Sequence, residues 1–257
     1  MKRVALMAVL LALASAPAFA TGFTNGDFEL GNSSGWLTGT GYRASVDNPS
    51  LTAAMVLPGG SLYVSQLNHS SIVTSGAAPN TGGGLNQVYS GTYSWRVEDT
   101  TTGGYASAIQ QTALAYTDPN IFFAWAAVLE GAHDATQAAT VKIFLTDVTT
   151  GTPLISREYN AADGGGGVDA RFHTFSGFFW TDWQIEQLTL PAASFGHDMM
   201  LSILASDCQP TGHAGYLYLD GFGSVAPPPT GNVPEPGSIL LLGSGLAFVA
   251  RKLRRQR

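Results

Sequence analysis

One short segment of the sequence holds side chains that could ligate a metal or form a polar network. Residues 207–213 contain a carboxylate, a thiol and an imidazole, at Asp207, Cys208 and His213. A second imidazole, His133, lies on another predicted loop. Zinc sites normally use three or four nitrogen and sulfur ligands at recognised spacing, and that spacing is not visible here. The residue types are compatible with a transition-metal site. The alternative is a hydrogen-bonded network that braces the loops.

The sequence also contains a dense run of aromatic residues, 178–183, and a separate tryptophan, Trp36. An aromatic ring exposed on a sheet face can bind a sugar by stacking against its C–H groups. Because neighbouring residues of a strand point to opposite faces, at least one aromatic of the run should be partly exposed. We therefore take Trp36, Trp180 and Trp183 as candidate ligand-binding residues. The alternative is that these rings pack between two sheets.

Motifs that carry hydrolytic chemistry are missing from the sequence. It has no Gly-x-Ser-x-Gly nucleophile elbow placed between a strand and a helix, no His-Glu-x-x-His pair and no lone nucleophile beside an obvious base. Some pair among its eighteen Asp and Glu residues could imitate the two carboxylates of a glycosidase, but a sequence cannot show their separation. We predict that the protein is not an enzyme.

The first twenty residues have the three parts of a signal peptide. Lys2 and Arg3 precede an apolar run, residues 4–14, and Ala18 and Ala20 supply the small side chains that signal peptidase accepts. The two basic residues favour a cytoplasmic start. The pattern predicts export through the Sec translocon and cleavage by signal peptidase after residue 20. An uncleaved membrane anchor is the alternative.

The C-terminal end also has three parts. They are a proline-flanked motif, an apolar stretch and a basic cluster, at Val233-Pro234-Glu235-Pro236, 237–250 and 251–257. At about 1.5 Å per residue the apolar stretch reaches about 21 Å as a helix, short of a hydrocarbon core of about 30 Å. We predict a short transmembrane helix, with the preceding domain outside because basic residues remain in the cytoplasm. A permanent anchor is the alternative to a temporary span.

This order of parts resembles the PEP-CTERM sorting signal. The resemblance implies that an exosortase, a membrane-embedded cysteine transpeptidase, recognises Pro234, Glu235 and Pro236 and cuts near them. It also implies a transient stay in the inner membrane of a Gram-negative bacterium, followed by the cell surface or extracellular matrix. Because such proteins accompany polysaccharide export, extracellular polysaccharide is an implied partner.

Between these ends, residues 21–225 form one predicted domain, and a Pro-rich linker follows at 226–232. Residues 21–232 hold five of the twelve Lys and Arg but seventeen of the eighteen Asp and Glu. The resulting formal charge of −12 disfavours nucleic acid as a partner and favours cations. Since Cys208 is the one cysteine, no internal disulfide can form. We predict that it is a buried small side chain; a reactive thiol or an intermolecular bridge is the alternative.

The domain is predicted to be all-β. Short alternating runs recur, and no stretch keeps apolar residues at helical spacing for three turns. In residues 141–146 the odd positions are branched aliphatics that should face a core. About nine strands in about 200 residues favour a two-sheet sandwich of jelly-roll type. The predicted strands are 62–67, 93–98, 106–112, 121–129, 140–147, 172–179, 184–190, 199–205 and 215–220.

Both ends of this domain carry recognisable sequences. Residues 25–29 read Asn-Gly-Asp-Phe-Glu and are followed by Gly35-Trp36, and the aromatic-rich closing strand, 215–220, ends in an aspartate. These features resemble the opening and closing of galactose-binding-type jelly rolls, which include several families of carbohydrate-binding module. The resemblance implies the same fold.

The same resemblance implies a structural calcium ion. Its ligands would be Glu29 and Asp220, which match the opening acid and the closing-strand acid, with Asp47 as a third oxygen donor. Calcium takes six to eight hard oxygen ligands, so loop carbonyls would complete the set. The alternative is that Glu29 and Asp220 cap turns or carry solvated charges at a sheet edge.

Together these observations predict an exported, exosortase-processed, non-enzymatic protein of the cell surface or exopolysaccharide matrix, which either binds carbohydrate or only builds the matrix. A structural or adhesive protein that self-associates or binds other surface proteins is the alternative. A glycan-active hydrolase is the least favoured interpretation.

Overall fold

The computed structural model describes residues 22–223 and 225–227. The signal peptide, most of the Pro-rich linker and the sorting tail lie outside these residues, so the predicted transmembrane helix does too. No helix among the described residues is long and apolar enough to cross a membrane. The elements are β1 (Leu37–Tyr42), α1 (Ala53–Val56), β2 (Ser71–Thr74), β3 (Tyr93–Val97), β4 (Tyr105–Tyr116), β5 (Asn120–Glu130), β6 (Thr140–Asp147), β7 (Thr152–Asn160), β8 (Phe172–Phe175), β9 (Phe178–Thr181), β10 (Gln184–Thr189), β11 (His197–Ser206) and β12 (Gly215–Gly223).

The strands form two antiparallel sheets. One has five strands in the order β1-β4-β11-β6-β7, and the other has the order β2-β3-β12-β5-β9-β8, with β10 also paired to β5. The prediction of an all-β, two-sheet sandwich of jelly-roll type is therefore confirmed.

The core between the sheets follows from side-chain alternation. In β6, Val141, Ile143 and Leu145 are fully buried and point into this core, as predicted. In β5 the odd-numbered residues from Ile121 to Leu129 do the same. The even-numbered Ala126 and Val128 of β5 belong to a second apolar cluster on the opposite face. Strand β5 is therefore covered on both faces, which explains its continuous apolar sequence.

Two long connections cover the outer faces of the sheets. Residues 43–67, which include α1, bring Leu51 and Val56 against Ala106 and Ala108 of β4. Residues 75–90 bring Ala78 and Leu85 against β5, β9 and β12. The strands beneath these connections are therefore buried on both faces. In a simple sandwich, one face of each sheet would be exposed to water.

Some predicted strands differ from the observed ones. Residues 62–67 form turns with a single bridge from Tyr63 to Gly41, so that prediction was wrong. Residues 172–179 are two strands, β8 and β9, because Ser176 and Gly177 both adopt positive φ and form a tight hairpin turn.

Strands β1, β2 and β7 were missed. In β1 the sequence Leu-Thr-Gly-Thr-Gly-Tyr does not read as a strand, yet its glycines are needed. A Cβ atom at Gly39 would lie 2.2 Å from the carbonyl oxygen of Val56, and one at Gly41 would lie 2.0 Å from that of Leu62. Glycine is required because the covering connection lies directly on the strand.

A buried polar network joins the two sheets at one end of the sandwich. Glu98, which follows β3, is fully buried, and its Oε1 lies 2.7 Å from Nδ1 of His69. Its Oε2 accepts a hydrogen bond of 2.7 Å from Ser107 of β4, and that hydroxyl lies 2.6 Å from the hydroxyl of Thr40 in β1. Asp99 adds a second carboxylate 3.3 Å from the imidazole. The network therefore connects strands of both sheets through one carboxylate.

The hydrogen bond to Glu98 raises the pKa of His69 above its ordinary value of 6.5. Protonated His69 therefore stabilises the fold below about pH 6.5, and this contribution is lost as pH rises through the folded-state pKa. We expect the free energy of unfolding of wild type relative to His69→Gln to decrease as pH rises above 6.5. Urea unfolding across pH 5–9 would measure it. His173→Gln, at an exposed His–Asp pair, is the control, and parallel profiles for wild type and His69→Gln would contradict the prediction.

Candidate functional site

Trp183 owes its position to a bulge beside β5. Strands β9 and β10 both pair with β5, with Trp180 opposite Val128 and Gln184 opposite Trp125. The three residues 181–183 therefore lie opposite only two residues of β5, 126 and 127. The Thr181 hydroxyl accepts a hydrogen bond of 3.1 Å from the amide of Ala127 at this interruption. A bulge of this kind redirects side chains, and here it separates Trp183 from the regular alternation.

Trp183 forms one wall of a surface cleft on the outer side of the larger sheet. Its indole Nε1 donates a hydrogen bond of 2.9 Å to the carbonyl of Asn86, which fixes the ring. The ring of Tyr89 meets it edge-on at a centroid distance of 5.6 Å. The cleft has a volume of about 400 Å³ and is lined by Gly84, Leu85, Asn86, Tyr89, Asp182, Trp183 and Ile185. We call it the Trp183 cleft. It combines two aromatic rings with a carboxylate and an amide.

The other two tryptophans expected to bind a ligand are buried. Trp36 is 8% exposed, stacks on Phe28 in the core and donates its Nε1 hydrogen to the carbonyl of Asn25. Trp180 is also 8% exposed and lies under the connection 75–90, where a Cβ atom at Gly84 would be 2.4 Å from its ring. Neither ring offers a face to a sugar, so for these two residues the alternative of packing is correct.

Phe178 and Phe179 are both half-buried, on opposite sides of β9. Phe179 packs against the core between the sheets, and Phe178 packs against the outer apolar cluster. The expectation that some aromatic of this run is partly exposed is thus confirmed, and Trp183 is the one that lines a cleft.

The structure brings Glu29 and Asp220 to the same turn, residues 89–93. Oε1 of Glu29 accepts hydrogen bonds of 2.8 and 3.0 Å from the amides of Thr92 and Tyr93. Oδ2 of Asp220 accepts bonds of 3.1 Å from the amides of Tyr89 and Ser90. The carboxylate of Asp220 therefore binds the start of this turn and the carboxylate of Glu29 binds its end.

Asp220 is fully buried, and its second oxygen, Oδ1, has no hydrogen-bond partner among the described residues. Burial raises the pKa of this carboxyl to about 7, and the nearby charge of Glu29 acts in the same direction. A cavity of about 600 Å³ opens beside the turn and is lined by Asp27, Glu29 and Ser90 among others. The arrangement leaves one carboxylate oxygen without a partner next to acidic neighbours.

Asp47 does not belong to this group. It is exposed, and its Oδ1 accepts a hydrogen bond of 2.9 Å from Gln209. Gln209 belongs to the loop just before β12 and Asp220 lies six residues into that strand, so the two carboxylates are at different ends of β12. The expectation that Asp47 completes a site with Glu29 and Asp220 was wrong.

The predicted cluster of Cys208 and two histidines is assembled at the Gly215 end of β12. Nε2 of His133 lies 3.1 Å from Nδ1 of His213, which in turn lies 3.4 Å from Sγ of Cys208. The three ligand atoms are within 4.8 Å of one another. Cys208 is fully buried, as predicted, and burial raises the pKa of its thiol.

Asp207 faces away from these three side chains. Its Oδ2 accepts a hydrogen bond of 3.2 Å from the amide of Tyr105, and its Oδ1 accepts one of 3.3 Å from the amide of Gly215. Burial, followed by the charge of Glu98, raises the pKa of Asp207 to about 8. Asp207 thus connects β4 to β12 and offers no oxygen to the cluster.

A buried arginine braces the loops around this cluster. Arg43 donates hydrogen bonds to the carbonyls of Val46 and Asp207 and to the side chain of Asn48. Asn48 in turn donates to two carbonyls of the loop that follows His133. Burial lowers the pKa of Arg43 to about 10, so it remains charged at neutral pH.

The sequence did not indicate Asn86 or Tyr89 as site residues. They lie in the connection that follows the glycine-rich residues 82–84, a segment that reads as a flexible loop. The polar and aromatic residues after the glycines were the available signal. What they contact depends on how the connection folds across the sheet.

The tail of the chain matches a known family model. Residues 232–255 match the PEP-CTERM protein-sorting motif. The chain ends in a PEP-CTERM sorting motif. This confirms the resemblance drawn from the motif, the apolar stretch and the basic cluster, and it indicates an exported protein with a C-terminal, membrane-anchored sorting signal. No curated protein matches the sequence.

The chain is also similar to solved structures, at low sequence identity. One is TmCBM61 in complex with β-1,4-galactotriose, at 11% identity and a TM-score of 0.39, with 77% of this chain and 92% of that chain covered. Another is a CBM28 module specific for non-crystalline cellulose, at 12% identity and a TM-score of 0.35, with 77% and 91% covered. A third is a cyclase from Fischerella sp. TAU, at 10% identity and a TM-score of 0.34, with 75% and 84% covered. At these identities and TM-scores the similarities carry no conclusion about this chain.

Proposed function

We propose that this protein is an exported surface or matrix protein whose sandwich domain binds a polysaccharide, without catalysis, in the Trp183 cleft. The observation that carries the proposal is the pairing of Trp183 and Tyr89 at the wall of a cleft that also contains Asn86 and Asp182. Apolar rings beside a few polar groups are the composition of sites that hold small ligands in a fixed orientation.

The cleft is held in shape before any ligand binds. The bulge after Trp180 sets the backbone, and the bond from Trp183 to Asn86 fixes the ring on the covering connection. A fixed ring loses little side-chain entropy on binding, and this favours affinity. The acidic charge of the domain and the carboxylate of Asp182 disfavour anionic polymers, so we propose an uncharged polysaccharide.

Trp183→Ala should weaken polysaccharide binding by about tenfold or more, since it removes an aromatic wall worth about 1.5–3 kcal/mol. Tyr89→Phe, which keeps the ring, should bind nearly as well as wild type. Affinity electrophoresis of the full-length chain in detergent, through gels that contain neutral polysaccharides from the host, would measure the retardation.

Tyr42→Ala is the matched control. Tyr42 is 45% exposed and packs edge-on against Tyr105, and both residues lie on the five-stranded sheet, away from the cleft. Equal retardation of wild type and Trp183→Ala would contradict this use of the cleft. Lack of retardation by every host polysaccharide, with self-association of the chain, would favour the structural or adhesive alternative.

The sorting motif supports the second half of the proposal, which concerns delivery. The leader would take the chain through the Sec translocon, signal peptidase would cut after Ala20, and the tail would hold it in the inner membrane. Exosortase would then recognise residues 234–236 and release the domain to the cell surface or matrix of a Gram-negative bacterium. The short apolar stretch suits such a temporary stage.

Glu235→Ala should block processing by exosortase in the native host, because it removes the only charge of the motif. We expect the uncut chain to accumulate in the membrane fraction, as seen on immunoblots after fractionation. Gln256→Ala, a change in the same tail outside the motif, should be processed as wild type. Normal processing of Glu235→Ala would argue against recognition of this motif.

We further propose that calcium stabilises the opening of the domain. The supporting observation is Asp220 Oδ1, a buried carboxylate oxygen that has no partner in the described part of the chain, at a turn that Glu29 also holds. Calcium binds carboxylate and carbonyl oxygens and would supply the missing partner. Asp47 is not part of this proposal.

Calcium added to chelator-treated protein should raise the melting temperature. A ligand present at 100 times its Kd stabilises the fold by about 2.7 kcal/mol when it binds only the native state. Glu29→Gln and Asp220→Asn should lose this response, whereas Asp47→Asn, an exposed aspartate at the other end of β12, should keep it. Differential scanning calorimetry would measure the shift. A wild-type melting temperature independent of calcium would exclude the ion.

A further inference from the structure

The cluster of Cys208, His133 and His213 has a geometry that hydrogen bonds alone explain poorly. Nδ1 of His213 faces two groups at once, His133 Nε2 at 3.1 Å and Cys208 Sγ at 3.4 Å. One ring nitrogen carries one hydrogen or one lone pair, so it can form a well-directed hydrogen bond with only one of them. Three nitrogen and sulfur atoms nevertheless converge, and all lie within 4.8 Å of one another.

Two of the three separations in the cluster agree with those of ligands around one metal ion. In a tetrahedral site with Zn–N of about 2.05 Å and Zn–S of about 2.3 Å, two nitrogens are about 3.3 Å apart and a nitrogen and a sulfur about 3.6 Å. The observed separations of 3.1 and 3.4 Å differ from these values by a few tenths of an ångström.

Backbone amides donate hydrogen bonds to the sulfur of Cys208. Sγ of Cys208 accepts hydrogen bonds of 3.2 Å from the amides of Gly212 and His213. The amide of Cys208 donates to the carbonyl of His213 at 2.9 Å, which closes the loop on itself. Amide donors that surround a metal-bound ligand orient it and stabilise its negative charge. The loop thus presents the sulfur and one imidazole from the same tight turn.

His133 is held in an uncommon conformation on the other side of the cluster. Its φ is 64°, in the left-handed region that non-glycine residues seldom adopt. The neighbouring backbone fixes it there, because Ala132 donates to the carbonyl of Ala161 at 2.9 Å and Asp163 donates to the carbonyl of His133 at 2.8 Å. Such strain persists where surrounding structure imposes it, often at functional sites.

The two loops that carry the cluster are also tied to each other. The amide of Gln209 donates to the carbonyl of Gln137 at 2.8 Å, and Asn48 bridges to the carbonyls of Ala135 and Ala138. The ligand atoms are therefore preorganised by loops that cannot easily separate. His133 and His213 are half-buried, so a bound ion would remain within reach of solvent.

We propose that Cys208, His133 and His213 bind one divalent transition metal of the type that prefers thiolate and imidazole ligands, Zn²⁺ above all. Three protein ligands leave a fourth position for water or another donor. Asp207 supports the loop and is not a ligand. The proposal does not depend on polysaccharide binding, since the cluster and the Trp183 cleft involve different residues.

The test uses the full-length chain, solubilised in detergent and freed of metal. Equilibrium dialysis against Zn²⁺ with elemental analysis should give one ion per chain. Replacement by Co²⁺ should produce a thiolate-to-cobalt charge-transfer absorption, and Cys208 is the one cysteine in the sequence that can cause it. This measurement needs no variant and therefore does not depend on how a substitution folds.

Three substitutions test the ligands one by one. Cys208→Ser, His213→Gln and His133→Asn should each weaken Zn²⁺ binding by more than about tenfold, because even indirect partners of a metal change its affinity by about 10–100-fold. Asparagine is chosen at position 133 because it tolerates positive φ. His173→Gln, at the exposed pair with Asp182, is the control and should bind as wild type.

The proposal is overturned if the wild-type chain takes up no stoichiometric Zn²⁺ and shows no charge-transfer absorption with Co²⁺. It is also overturned if Cys208→Ser folds and binds Zn²⁺ as tightly as wild type. Either result would leave the cluster as a hydrogen-bonded network that braces two loops.

Discussion

The burial of β5 on both faces is the constraint on which the rest of this structure depends. Its odd-numbered residues from Ile121 to Leu129 fill the core between the sheets, and its even-numbered Ala126 and Val128 belong to the outer cluster that includes Ala78 and Leu85 of the connection 75–90. A strand in this position can carry no exposed polar side chain, and its backbone groups must pair on both edges. Strand β12 pairs along one edge, while β9 and β10 divide the other. Trp183 lies at the interruption between β9 and β10. The turn held by Glu29 and Asp220 lies near one end of β12, and the cluster of Cys208 and two histidines lies near the other.

The acidic domain stabilises its carboxylates mainly with backbone amides. Three Lys or Arg residues form ion pairs with carboxylates in the described part of the chain, at Lys142, Arg157 and Arg171. Far more carboxylates accept hydrogen bonds from backbone amides. Glu29, Asp134 and Asp207 are examples. This explains how a chain with few basic residues tolerates its charge, since an amide donor stabilises a carboxylate without a countercharge.

The sequence predicted the architecture well and the surfaces less well. Alternation identified β6 with its observed bounds, and the apolar run identified β5, because both signals depend only on the burial of those strands. Strand β1 was missed because its glycines are required by contact with a connection that is distant in sequence and lies directly on the strand. Trp36 and Trp180 illustrate the same limit: aromatic composition indicates a binding surface, but exposure depends on which loop covers the ring. The grouping of Cys208 and His213 was visible because they are close in sequence, whereas the approach of His133 requires the fold.

The two buried aspartates of the β12 region show where a network of amides is complete and where it is not. Asp207 uses both oxygens, one for Tyr105 and one for Gly215, so its burial is compensated by two donors and serves to join strands. Asp220 uses one oxygen for two amides and leaves the other without a partner in the described structure. An unpaired buried carboxylate oxygen costs free energy that a proton or a cation can recover. The raised pKa of Asp220 reflects this cost, with burial as its largest cause and the charge of Glu29 acting in the same direction.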